Sequence, residues 1–224
     1  MSIKYKTVYE SQAELLRTIA DLFCKGRIDC DVTYGAGNIY KGARLEPRFK
    51  FDSNPRGEPD RLQPAFKFDL KPTRAGVIKA DCTDIPARDC SYRSVVFDPP
   101  FVVTTKSSLK PSMFEKCKYG NADSYPVLLE FYGRAMLEIW RVLRPRGILI
   151  FKNQDFVHDH KNYFAHCDIY RTALGLGYIP VDLFILVNEN RIIQHNLKRQ
   201  QHARKTHCYH WVFRKPGKQR SKNV

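Results

Sequence analysis

The 224-residue sequence is short of several things. Its seven cysteines, at positions 24, 30, 82, 90, 117, 167 and 208, are odd in number, scattered, and include no Cys-x-x-Cys pair. That is neither a disulfide framework nor a zinc framework, so no metal is expected and the thiols read as reduced and mostly buried. No stretch approaches the about 18 uncharged apolar residues of a membrane span. Met1–Glu10 has no apolar core of a signal peptide. A soluble, intracellular protein is expected, with no membrane partner. Internal repeats are missing, and so are low-complexity tracts outside the basic end. Acids are scarce as well: 23 Asp and Glu stand against 38 Lys and Arg, a net charge of +15. Beyond Glu189 there is no acid at all, while 191–224 holds ten Lys or Arg. Such a balance is silent on fold but favours a polyanionic partner, nucleic acid before anionic membrane.

What is present is enough for a core. Apolar residues make up 43% of the chain and aromatics 12%, which fits one sizeable domain, expected over 1–215 with a basic flexible tail at 216–224. Ser11-Gln-Ala-Glu14 spells a helix start, Leu15, Leu16, Ile19, Ala20, Leu22 and Phe23 keep helical spacing, and Lys25-Gly26 ends it. Residues 28–34 read as a buried strand stopping at Gly35-Ala-Gly37. Residues 53–64, with three prolines and four charges, are a loop excursion. Strands follow at 65–69, 77–80 and 93–97, then a helix at 127–143 that ends on Arg144-Pro-Arg-Gly147, and a strand at 148–151. A helix at 163–176 and strands at 182–187 and 209–213 complete the pattern. Strands separated by helices imply an α/β, doubly wound, mostly parallel sheet covered on both faces.

The strand ends carry the chemistry. Gly35-Ala-Gly37 lets backbone pass close to a ligand, although Tyr40 stands where a third fingerprint glycine would be, and no phosphate loop is spelled. An acid at the end of the second strand suits ribose hydroxyls; Asp69 is preferred because its strand flows directly into the next, with Asp52 the rival. Asp81 ends the third strand, where an adenine amine can bind. Asp98-Pro99-Pro100-Phe101 then places a carboxylate, a rigid backbone with free carbonyls, and an aromatic face within four residues. That combination suits an exocyclic amine on a flat base, the ring stacking on Phe101. Each acid alone is as well explained by a solvated loop; together, in this order, they are not. The histidines are less telling. His158-x-His160 and His166-Cys167 lack a second matched pair and read as a solvated helix end; His202, His207 and His210 sit in a basic segment.

With these motifs the chain resembles the S-adenosylmethionine-dependent amino-methyltransferases that modify DNA bases, the small phage and bacterial members in particular. The resemblance rests on Asp31-x-Thr33-Tyr34-Gly35-x-Gly37, Phe68-Asp69, Ile85-Pro86 and Val96-Phe-Asp98-Pro-Pro-Phe101, on Leu143-Arg-Pro-Arg-Gly147 and Lys152-Asn-Gln-Asp155, and on the segment from His202 to Phe213. It covers residues 28 to 214 in order. It implies a Rossmann-like sheet of about seven strands, the last antiparallel. It implies S-adenosylmethionine held by Asp31, Thr33, Tyr34, Gly35, Gly37, Asp69, Asp81 and Cys82, and methyl transfer at Asp98, Pro99, Pro100 and Phe101. The spelling with Asp98 rather than serine leans toward adenine N6. A soluble protein of the cytoplasm of a bacterial or phage-infected cell is the corresponding expectation.

For the partner surface, Lys106, Lys110, Lys116 and Lys118 crowd a loop over 102–122 that follows the base motif, and Lys198, Arg199, Arg204 and Lys205 precede the final strand. Both groups suit nucleic-acid phosphates. Tyr209, Trp211 and Phe213 alternate onto one face and are expected to pack in the strand. Three functions stand: a DNA adenine methyltransferase, preferred; an RNA base methyltransferase, since guanine-modifying enzymes of ribosomal RNA share the Asp-Pro-Pro-Phe spelling; and a non-catalytic nucleic-acid-binding module on the same fold.

Overall fold

The computed structural model describes residues 5–40, 62–101, 103, 124–187 and 201–217. The expected excursion at 53–64, apart from its last three residues, lies outside these, as do Asp52, the lysines at 106, 110, 116 and 118, Lys198 and Arg199. In chain order the elements are β1 (Val8–Tyr9), α1 (Gln12–Phe23), β2 (Cys30–Asp31), a 3-10 turn (Asn38–Tyr40), β3 (Phe66–Asp69), β4 (Ile78–Lys79) and β5 (Tyr92–Phe97). Then come α2 (Tyr125–Val142), β6 (Leu143–Asn153), the hairpin β7 (Phe156–His158) and β8 (Lys161–Tyr163), α3 (Ala165–Gly175), β9 (Ile179–Val187) and β10 (His207–Arg214).

Helix α1 forms as its sequence says. The Ser11 hydroxyl accepts from Glu14 N at 3.3 Å, and at the far end Lys25 and Gly26 turn left-handed while Gly26 N returns to Ala20 O at 2.9 Å. Its apolar stripe, Leu15, Leu16, Ile19 and Ala20, is buried on one face of the sheet. The opposite face takes α2 and α3 through Leu128, Tyr132, Met136, Ile139, Ile169 and Ala173. Alternation along each strand divides the two cores. Val95, Phe97, Leu149, Phe151 and Phe213 turn toward α2, whereas Val96, Ile148, Ile150 and Val212 turn toward α1.

Eight strands form the main sheet in the order β1-β9-β10-β6-β5-β2-β3-β4. Strand β10 runs antiparallel to both β6 and β9, and the remaining pairings are parallel. This is the expected doubly wound sheet with its last strand reversed; the eighth strand is the two-residue β1, which adds to the edge at Ile185–Leu186. Three details differ from the sequence reading. The links β3–β4 and β4–β5 are turns without a described helix. Arg144-Pro-Arg-Gly147 is the first part of β6 rather than a loop, since Tyr92 already pairs with Leu143. And His158–His160 lies in a β-hairpin, not at a helix end: Asp159 and His160 both take positive φ, the backbone of a tight two-residue turn. No described helix is long and apolar enough to cross a membrane.

Topology sets the site. Parallel strands β2, β3, β5 and β6 deliver Asp31, Asp69, Asp98 and Asn153 to one edge, the carboxyl edge where open α/β sheets take their ligands. Because β10 is reversed, its beginning, His207, arrives at that same edge, pairing Tyr209 with Asn153.

Candidate functional site

Asp31 is the anchor. It is fully buried and accepts from Thr33 N at 2.8 Å, from the Thr33 hydroxyl at 3.4 Å and from the Tyr40 hydroxyl at 2.7 Å. These bonds fold the chain after β2 into the glycine turn. Gly35 and Gly37 both have positive φ, and Gly37 N closes the turn on Tyr34 O at 2.8 Å. A Cβ on Gly37 would lie 2.5 Å from the Tyr34 hydroxyl oxygen, so this glycine is required by the chain's own packing, under a Tyr34 ring stacked on Tyr40 at 5.7 Å.

Asp69 closes the turn from the neighbouring strand. Its carboxylate, buried, accepts from Gly35 N at 2.6 Å and Lys71 N at 2.8 Å. Asp81 is exposed and accepts from Thr83 N and the Thr83 hydroxyl, whereas Cys82 is buried, which pushes its thiol up to about 12. A cleft of about 460 Å³ beside the turn is lined by Tyr34, Gln63, Lys67, Arg74 and Ala75. Its cations suit an anion, and Asp31, Asp69 and Asp98 do not line it.

Asp98-Pro-Pro-Phe101 meets the glycine turn directly: Asp98 N donates to the Thr33 hydroxyl oxygen at 2.7 Å. Pro99 is buried, Asp98, Pro100 and Phe101 are half-buried, and the Pro100 carbonyl accepts from the Tyr132 hydroxyl at 2.8 Å. That carbonyl is therefore braced by α2, not free as the sequence suggested. The Asp98 carboxylate pairs with Lys152 Nζ at 3.0 Å. Lys152 was legible in the sequence only as part of a motif; its register, one strand over from Asp98, gives it a role.

In the sequence its neighbour Asn153 is marked only as part of the same motif. The side chain is fully buried, and neither amide atom has a hydrogen-bond partner among the described residues. Burying an unpaired amide costs on the order of 1–3 kcal/mol, so a residue of this kind at a ligand edge is a feature to explain. Gln154 then ties the edge to the basic segment, donating to Lys205 O at 2.8 Å and His207 O at 3.0 Å. Arg204 is exposed, and Lys205 lies 5.8 Å from the Phe164 ring centre. His210, buried and bonded to Gln12, is held well below the ordinary range by burial and by Lys152. Trp211 stacks on Phe213 at 5.3 Å within β10, as the alternation required.

No group of three or more His, Cys, Asp and Glu among the described residues could hold a metal ion. The donor set does fit a ligand that carries its own positive charge: the Asp98 carboxylate stands close enough to Asp31 at this edge to push the Asp31 carboxyl up.

No family model matches the chain, and no curated protein does. Solved structures do. A provisionally assigned sarcosine dimethylglycine methyltransferase from Galdieria sulphuraria superposes with a TM-score of 0.50 at 12% identity, over 91% of this chain and 85% of its own. A provisionally assigned DNA modification methylase from Thermus thermophilus, in complex with S-adenosyl-L-methionine, gives 0.42 at 21% identity over 62% of this chain. The cytosine-N4-specific PvuII DNA methyltransferase gives 0.45 at 15% over 62%. The matched regions are 53% and 49% of those two chains, so this chain spans about half their length. At such identities the likeness is one of fold: a Rossmann-like α/β sheet.

Asp31 supplies a titration test. Burial pushes its carboxyl up to about 7, the Tyr40 and Thr33 donors offset part of that, and Asp98 adds to it. Between 3.8 and about 7 the folded chain keeps a proton that the unfolded chain has lost, so this group stabilises most at low pH and its contribution is lost as pH rises through about 7. Thermal denaturation from pH 5 to 8 should show wild type losing stability relative to Asp31→Asn as pH rises; parallel curves would contradict the assignment.

Proposed function

We propose that the chain transfers the methyl group of S-adenosylmethionine to the exocyclic amine of a nucleic-acid base, adenine N6 in DNA. The observation that carries this reading is the bond from Asp98 N to Thr33: the glycine turn and the Asp-Pro-Pro-Phe motif are one hydrogen-bonded unit. S-adenosylmethionine supplies a methyl already attached to a good leaving group, so the protein has only to bind, orient and support charge. The glycine turn with Asp31 and Asp69 binds the cofactor, and Asp81 and Cys82 lie beyond the third strand for its adenine. The raised Asp31 carboxyl ionises more readily once a cation lies beside it. Asp98 accepts from the target amine and supports its developing positive charge, as a preorganised acceptor does. For that, Lys152 must share or release the carboxylate it now holds. Phe101 stacks on the extruded base. The amide of Asn153, one donor group and one acceptor with no partner among the described residues, reads the base edge. Phosphates are met by Arg204 and Lys205, held at the same edge by Gln154, together with Lys198 and Arg199 and the lysine-rich stretch of Lys106, Lys110, Lys116 and Lys118. A soluble, cytoplasmic setting and a preference for DNA over RNA belong to the same proposal.

Labelled methyl transfer to DNA and RNA side by side, with nucleoside analysis, tests the substrate; N6-methyladenosine appearing only in RNA would replace DNA in this reading. Asp98→Ala should slow single-turnover methylation by about 10²–10³ and leave cofactor affinity intact; a wild-type rate would remove Asp98 from the mechanism.

Asn153→Leu separates ligand recognition from structure. Replacing an unpaired buried amide by an apolar group of like size should leave the melting temperature equal or higher, while methylation falls at least about tenfold. A fall in both would make Asn153 structural.

Charge reversal at Lys198, Arg199, Arg204 and Lys205 should flatten the salt dependence of nucleic-acid affinity, since fewer counterions are released. An unchanged slope, measured by titration from low to moderate salt, would return the segment to plain solvation.

A further inference from the structure

A second constellation of reactive side chains lies at the start of α3, apart from the glycine turn and Asp98. Cys167 is exposed, and its Sγ is 3.3 Å from Nε2 of His166. The other ring nitrogen, Nδ1, is 2.8 Å from Asp155 Oδ1, an oxygen that also accepts from His166 N at 3.2 Å. Asp155 is buried, and a buried carboxylate accepting from Nδ1 fixes the tautomer. The proton sits on Nδ1, and Nε2 presents a lone pair to the thiol. The ring cannot swing away easily, because Tyr209 stacks on it at 4.3 Å with 20° between planes. Tyr209 is itself fixed, its hydroxyl 2.9 Å from His207 Nε2 and 3.5 Å from Asp155 Oδ2. Nucleophile, base and orienting acid are thus within bonding reach in sequence, the arrangement that activates cysteine nucleophiles. Cys167 is also the third residue of the eleven-residue helix α3, at its exposed start.

The composition of the chain does not explain this arrangement, nor does methyl transfer use it. Of the described cysteines, Cys30, Cys82 and Cys208 are buried, and burial raises the Cys24, Cys30 and Cys82 thiols, which makes them inert. Cys90 is exposed like Cys167. It therefore serves as the internal control: the same exposure class, a turn rather than a helix start, and Asp89 and Ser91 rather than histidine beside it in the chain.

We propose that Cys167 is a thiol–disulfide exchange site, at which His166 and Asp155 activate the thiol toward low-molecular-weight disulfides. His166 Nε2 takes the thiol proton as Sγ attacks one sulfur of the disulfide. The new bond joins Sγ to that sulfur, the original S–S bond breaks, and the leaving thiolate recovers the proton from His166. One disulfide is consumed and one formed, so no further oxidant enters. The product is the chain carrying one small thiol on the exposed start of α3, reversible by any free thiol in excess.

Oxidised glutathione is the probe, added to the full chain, with peptide mass spectrometry following each cysteine over time. Cys167 should gain the glutathionyl group at least about tenfold faster than Cys90, as an intramolecular base provides. His166→Asn should bring Cys167 down toward the Cys90 rate, and Asp155→Asn should slow it in part, with Cys90 unchanged in both. The wild-type comparison needs no variant to fold. Equal rates at Cys167 and Cys90 overturn the proposal, and so does a fast Cys167 that His166→Asn, folded by circular dichroism, leaves fast.

Discussion

A carboxylate with no access to water organises this edge of the sheet. Asp31 is buried, and an ion there survives only if donors surround it; three do, two from Thr33 and one from Tyr40. Satisfying the carboxylate fixes the turn after β2. Fixing Thr33 then gives the backbone of Asp98 its acceptor, so one bonding chain runs from the end of β2 to the end of β5. Asp69 repeats the device from β3, holding Gly35 by its N–H. Loops on a sheet edge are ordinarily the loosest part of a fold; here buried acids make them part of the core's hydrogen-bond system.

The cost of that arrangement is electrostatic. Asp31 and Asp98 repel when both are ionised, and burial already disfavours charge on Asp31. Lys152 offsets the Asp98 charge at 3.0 Å, and the same lysine helps keep buried His210 neutral on the next strand. The edge thus has unequal carboxyls, one pushed toward the neutral form and one paired. In the proposed function a cationic ligand relieves the first, and a donor amine competes for the second. Asn153 adds an amide with no partner among the described residues in the same row.

On the far side of that row the strand end of β6 serves a different group of residues. Its successive residues point apart: Lys152 to Asp98, Gln154 to the segment before β10, and Asp155 to His166. Three hydrogen bonds tie the β7–β8 hairpin to Gln201 and His202, so the hairpin and the approach to β10 form one unit beside α3. The reversal of β10 makes this possible. A parallel last strand would start at the opposite edge and take Lys205 away from Gln154 at the end of β6.

The sequence by itself determined the repeating parts: the capped helix α1, the two-faced strands, the acids at strand ends and the alternating aromatics of β10. Those signals are local, set by the 3.6 and 2.0 residue periods and by the side chains that end helices and strands. It also determined the glycine turn and Asp98-Pro-Pro-Phe101, because prolines lock the backbone and glycines accept the left-handed conformation that this turn uses. The tertiary structure alone decided which partners those residues take. That the Pro100 carbonyl meets Tyr132, that Lys152 faces Asp98, that Asn153 is buried without a partner among the described residues, and that Cys167, His166 and Asp155 align are consequences of register and crossover. Asp155 and His166 are eleven residues apart with a hairpin between them, and Lys152 and Asp98 are fifty-four apart. No local period encodes such distances; only the packing of β5, β6 and α3 on one sheet brings them together.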